Sequence, residues 1–161
     1  MTGHWIWKAV IAGFCGSVAH TLLMYSKSRF GLLPAFQPYE SLQAALAHLT
    51  GSQVDPLIPW MLSFLNGSTI LGFCFGRLYP WLPGNSGAAK GVTFGMFGWA
   101  AMGLIFFPLL GLGMFATKLD LGIQPALFSL TMLLTYAVVL GGVYAALDSR
   151  HPEQPPPATL K

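Results

Sequence analysis

Four stretches of about 20 residues, nearly free of charge, take up most of this chain: 5–26, 57–76, 91–112 and 124–147. Each is long enough to cross a hydrocarbon core of roughly 30 Å as a helix. Inside a bilayer every backbone N–H and C=O has to be satisfied within the protein, which confines lipid-facing segments to helices or closed barrels. Runs of this length specify helices. The expected fold is therefore an all-α integral membrane four-helix bundle, with residues 1–147 as one membrane domain.

Composition closes off the alternatives. Only 8% of residues are charged and 54% are hydrophobic, against roughly 25% charged in ordinary soluble domains, so a water-soluble globule would lack polar surface. A net charge of +3 is left by eight Lys and Arg against five Asp and Glu, the basic residues scattered and mostly at helix ends, where lipid headgroups account for them. Membrane lipids are the expected partners, and nucleic acid is not.

The N-terminus bears a slight likeness to a cleavable signal, because Lys8 precedes the apolar run and Ser17-Val18-Ala19 loosely fits a small-x-small cleavage site. The run continues through Leu22, Leu23 and Met24, so the first helix is expected to be retained. Placing both ends in the cytoplasm gives that side Lys8, Arg77, Lys90, Arg150 and Lys161, leaving Lys27, Arg29 and Lys118 outside. The positive-inside rule thus favours N-in and C-in, with Lys27 and Arg29 as dissent.

The connections are short except the first. After Pro34 and Pro38, residues 39–50 place Leu42, Ala45, Leu46 and Leu49 on one face and stop at Gly51, predicting a short amphipathic helix on the headgroups or capping the bundle. Tyr79 to Gly87 combines interfacial aromatics with turn residues and predicts a hairpin of the second and third helices. Residues 148–161 read as a flexible Pro-rich tail.

Small residues recur where helices need to approach closely: Gly13 and Gly16 with Ala9, Gly72 and Gly76, then Gly91, Gly95 and Gly98, and finally Gly141 with Gly142. They suit packing inside the bundle or against another subunit. The second and fourth helices also echo one another, each opening near a proline (Pro59, Pro125) and finishing with glycine shortly before Tyr79 or Tyr144.

Counting about 1.5 Å per residue, His20, Asn66 and Thr135 fall at similar depth near the bilayer middle. A ring nitrogen, an amide and a hydroxyl in hydrocarbon each need a partner, which predicts a polar midplane layer extended by Ser63, Thr69, Thr131 and Tyr136. His20 is also the one candidate for a haem or metal ligand, with Met24 a turn away. His4, His48 and His151 lie outside the spans, leaving no second strong axial ligand, and no Asp or Glu lies within a span to build a proton relay. The expectation is no cofactor and no metal. Cys15 and Cys74 differ in depth by roughly 9 Å at 1.5 Å per residue, too far for a disulfide.

Taken together, a first helix ending in Leu23-Met24, then Gly31-Leu32-Leu33-Pro34, Gly72 to Tyr79 running into Pro80-Trp81-Leu82-Pro83-Gly84, Gly111-Leu112-Gly113-Met114-Phe115 and Gly142-Val143-Tyr144-Ala145-Ala146 resemble the DUF6789 family of bacterial four-helix membrane proteins. The resemblance covers about residues 9 to 147 and implies four membrane helices, a bacterial origin and no established activity. Members of that family often carry a histidine in the middle of helices two and four, where this chain has Asn66 and Thr135. That difference argues against a histidine-based cofactor site.

Two function classes follow. One is a non-catalytic accessory or structural subunit of a larger complex of the bacterial inner membrane, respiratory or photosynthetic, contacting other membrane-protein subunits. The other is a small transporter or a haem- or metal-holding protein built around His20. No catalytic residues are expected, because no nucleophile, base and orienting acid come together.

Overall fold

A computed structural model describes residues 4–149. Among them there is no strand, and four helices are long and apolar enough to cross a membrane: α1 (His4–Arg29), α3 (Leu57–Leu78), α4 (Gly87–Leu109) and α5 (Gln124–Ser149). The amphipathic helix forms as α2 (Pro38–Thr50), opened by Pro38 in its first turn and closed by Gly51 in the left-handed conformation. The protein is an integral membrane protein of all-α class. The Pro-rich tail expected over 148–161 falls, from residue 150 onward, outside the described residues.

The third span begins earlier than its apolar run suggests. Ser86 adopts an extended backbone and its hydroxyl accepts the N–H of Ala89, so the helix starts at Gly87 and not at residue 91. It stops at Leu109, before Gly111 turns left-handed. At the head of α3 the Asp55 carboxylate accepts the N–H of Leu57 at 2.8 Å.

The helices form an arc: α4 packs along α5, α5 along α1, and α1 along α3. The hairpin of α3 and α4 closes only near its turn, where Phe75 meets Phe94 at 5.3 Å and the Lys90 ammonium donates to the Tyr79 carbonyl at 2.8 Å. Away from that turn the two helices diverge and share no extended contact. One end of the arc is therefore closed and the other open.

Glycines make the closed end. A Cβ on Gly72 would sit 2.7 Å from the Ala9 carbonyl, and one on Gly95 2.8 Å from the Ala137 Cβ. Gly91 lies so near the Ala137 carbonyl that no side chain fits between. Here Lys8 pairs with Asp148 at 2.9 Å, which puts the start of α1 beside the finish of α5. Tyr79 and Tyr144, the two ends of the internal echo, meet as tilted rings with centroids 4.6 Å apart.

Large side chains make the open end. The loop between α1 and α2 drives Phe36 inward, edge-on to Phe107 at 5.7 Å and Phe128 at 6.4 Å. The Lys27 ammonium, 2% exposed, donates to the Phe36 carbonyl at 2.6 Å and holds this plug in place. The loop after α4 folds back so that the Phe115 ring fills the space a side chain would need at Gly103, and lies tilted against Trp99 at 4.8 Å.

Candidate functional site

Two helices are locally underwound into π turns, Asn66–Leu71 in α3 and Met102–Phe106 in α4, and both border the same hollow. Their causes are readable. In α3 the Ser68 and Thr69 hydroxyls donate to the Phe64 and Leu65 carbonyls four residues back, each at 2.5 Å, competing with the backbone donors that those carbonyls usually accept. In α4 Pro108 lacks an N–H and its ring crowds the preceding turn, and the Phe107 N–H accordingly reaches back five residues to the Met102 carbonyl. Such turns interrupt the regular ladder and cluster at functional sites.

Between them lies a cavity of about 600 Å³, whose walls come from α1, α2, α3, α4 and α5. Its floor is polar but internally satisfied. The Tyr136 hydroxyl donates to the Gly67 carbonyl at 2.6 Å, Ser17 donates to the Phe64 carbonyl at 3.4 Å, and Ser129 donates to the Ala126 carbonyl at 2.9 Å while accepting from the Trp99 indole at 3.3 Å. Nearer the mouth Tyr39 of α2 donates to Ser63 at 3.0 Å and lies against Trp60, the tilted rings 4.4 Å apart. Burial raises the Tyr39 phenol pKa above its ordinary value, with the Ser63 bond pulling the other way.

His20 and Asn66 differ from all of these. Both line the cavity, and among the described residues neither side chain has a hydrogen-bond partner. Nine residues separate His20 from Arg29 and nine separate Leu57 from Asn66, so both lie about 13 Å below the open end at 1.5 Å per residue. The lining residues include no Lys, Arg, Asp or Glu. Chemically, the site offers neutral hydrogen-bonding groups inside an apolar chamber.

A family model described as a family of unknown function (DUF6789) matches residues 4–154. The chain belongs to the DUF6789 family. This DUF6789 chain is also similar to the lens fiber major intrinsic protein of Gallus gallus, with 29% identity over 169 aligned positions that cover 96% of the chain and 58% of that protein. The chain thus spans just over half the length of that relative. No solved structure matches it.

The remaining residues singled out from the DUF6789 sequence separate by position. Thr135 donates to the Thr131 carbonyl of its own helix at 2.8 Å and stands apart from the cavity lining. Gly13, Gly16, Gly72, Gly76, Gly91 and Gly95 all face neighbours inside the bundle, whereas Gly98 borders the cavity and would meet only the flexible end of Leu133. Met24 lines the cavity on the same helix face as His20, a placement that does not oppose two axial ligands across one metal. No group of three or more His, Cys, Asp or Glu suited to a metal occurs among the described residues. Cys15 and Cys74 are both free thiols.

Sequence reasoning missed the cavity, the π turns and the Phe36 plug. Two signals pointed toward them: Pro108 inside an apolar span, and the run Asn66-Gly67-Ser68-Thr69 in the middle of another.

Proposed function

We propose that this protein is a non-catalytic membrane-embedded binding protein that takes a lipid-soluble molecule into the cleft between α3 and α4. The single observation that carries the reading is the pair of unpartnered polar side chains, His20 and Asn66, turned into an apolar cavity of about 600 Å³. Polar groups in hydrocarbon cost free energy unless bonded, so a site that keeps two of them open is suited to a guest that completes them. The divergence of α3 from α4 gives that guest a sideways path from the bilayer. Nothing in the lining assembles a nucleophile with an activating base and acid, and the role is to hold or pass on a molecule unchanged.

We place the protein in a bacterial cytoplasmic membrane with both ends on the cytoplasmic side. The closed end carries Lys8, Arg77 and Lys90. Lys27, which counted against this orientation, is committed to the Phe36 carbonyl and the Phe36 and Phe128 rings, and so serves the fold instead of the headgroups. A second reading, an accessory subunit of a respiratory or photosynthetic complex, draws on Gly142, beside which a side chain would meet no neighbour. That leaves a notch on α5 for another helix, but most of the small-residue faces behind this reading are already occupied within the bundle.

Extraction and mass analysis of lipids that co-purify with the full-length protein tests the binding reading. A neutral lipophile enriched with the wild type and lost from Ile105→Trp, which fills the cavity from α4, supports it. Equal lipid content in the two preparations overturns it.

A further inference from the structure

The cavity's donors and acceptors narrow the class of molecule it takes. Building on the binding role proposed above, we infer that the occupant is a neutral lipid with a planar ring bearing two hydrogen-bonding oxygens, the chemistry of prenyl quinones and quinols.

Charge comes first. A carboxylate or phosphate head carried into the membrane interior needs a cation or a dense set of donors, and the lining holds no Lys or Arg. The nearest buried cation, Lys27, is already bonded to the Phe36 carbonyl at 2.6 Å and approaches Gln37 at 3.5 Å. Anionic lipids, fatty acids and haem with its propionates are all poorly served. The guest is uncharged.

Hydrogen bonding comes second. A neutral imidazole offers one donor and one acceptor, and a carboxamide offers two donors and one acceptor. His20 and Asn66 project from α1 and α3 at matched depth, and Thr21 adds a third side chain with no hydrogen-bond partner among the described residues. Groups that each both donate and accept can bond a ring carbonyl or the hydroxyl that replaces it, so both redox forms of a quinone fit without rearrangement. The single hydroxyl of an alcohol or a sterol can also donate to one of these groups and accept from another, so the choice between it and a ring with two oxygens falls to the shape of the lining.

Shape comes third. Phe64, Phe106 and Tyr136 with Met102 and Met132 surround the polar groups, surfaces that suit the faces and edges of a flat ring. The opening between α3 and α4 leaves a hydrocarbon tail in the lipid, so a cavity of about 600 Å³ need hold only the head and the first part of the tail.

Saturable binding of radiolabelled decylubiquinone to the full-length protein in nanodiscs is the test, with unlabelled decylubiquinol, decanol and decanoic acid as competitors. Decylubiquinol should compete about as well as the quinone, and the other two at least tenfold more weakly. His20→Ala and Asn66→Leu should each weaken quinone binding by roughly threefold to tenfold, the effect of losing one hydrogen bond. His20→Gln should lose less than His20→Ala. If His20→Ala fails to elute as a single species, His20→Gln and Asn66→Leu carry the comparison. Decanol or decanoic acid competing as well as the quinone, or quinone affinity unchanged in both His20 and Asn66 variants, overturns the ligand class while leaving a lipid-binding cavity. Absence of saturable decylubiquinone binding likewise overturns the ligand class, and quinone binding unchanged in Ile105→Trp overturns the binding role itself.

Discussion

At the closed end of this bundle four helices meet through Gly and Ala; at the open end the same helices are held apart by Phe36, Phe107, Met24 and Met132. Lipid tails are as apolar as leucine, so burial from water drives neither arrangement, and side-chain size at the inward positions decides how close two backbones come. Where Gly91 faces Ala137, backbone meets backbone. Where Phe36 enters, a ring's thickness separates them and the remaining space is a chamber. Stability is concentrated at one end, and capacity for a guest at the other.

Several substitutions test that division, beginning with the largest effect. Gly91→Leu should cost about 3 kcal/mol or more by forcing α4 off α5, read as loss of monodisperse protein in detergent. Gly98→Ala, on the same helix at the cavity, should leave the melting temperature unchanged or raise it slightly, because alanine favours helix and only the tip of Leu133 has to move. Equal losses from the two would erase the distinction between ends.

Phe36→Ala should cost about 3 kcal/mol, typical of an aromatic removed from a packed site, and should speed proteolysis between α1 and α2 while leaving the closed end intact. Protease resistance equal to wild type would mean that the plug does not hold α2. Tyr136→Phe removes only the hydroxyl that ties α5 to the α3 π turn at the Gly67 carbonyl; about 1 kcal/mol is expected, measured by thermal unfolding.

The smallest effect concerns pH. The Tyr39 phenol is raised above its ordinary value of 10 by burial, so the native state holds its proton more tightly than the unfolded chain. The stability this gives is fully present below pH 10 and is lost as pH rises through the raised value. The difference between the ultraviolet titrations of the wild type and Tyr39→Phe should show the lost tyrosine ionising above pH 10, and Tyr39→Phe should abolish its share of the alkaline loss. A Tyr39 that ionises at its ordinary pH would show that α2 does not cover the cavity mouth.

The spans were legible in the sequence because absence of charge over 20 residues is a one-dimensional signal, and α3 and α5 run within two residues of their apolar limits at 57–76 and 124–147. The start of α4 was less so, since its boundary is set by the polar cap Ser86 and not by hydropathy. For the site, counting along helices was enough to bring His20 and Asn66 to one depth. It did not distinguish them from Thr135, whose hydroxyl bonds to its own helix, because depth carries no information about which way a side chain turns. The chamber depends on Phe36 entering from a loop and on two π turns, which hydropathy does not encode.

Photolabelling of the full-length protein in nanodiscs with a diazirine-tailed alkane, mapped by tandem mass spectrometry, tests the open cleft most directly. Adducts on His20, Met102 and Met132 alongside the lipid-facing Phe14 and Ile70, with none on Gly91 or Ala137, are the expected result. Labelling confined to Phe14, Ile70 and other outward residues, with His20, Met102 and Met132 as protected as Ala137, would contradict it.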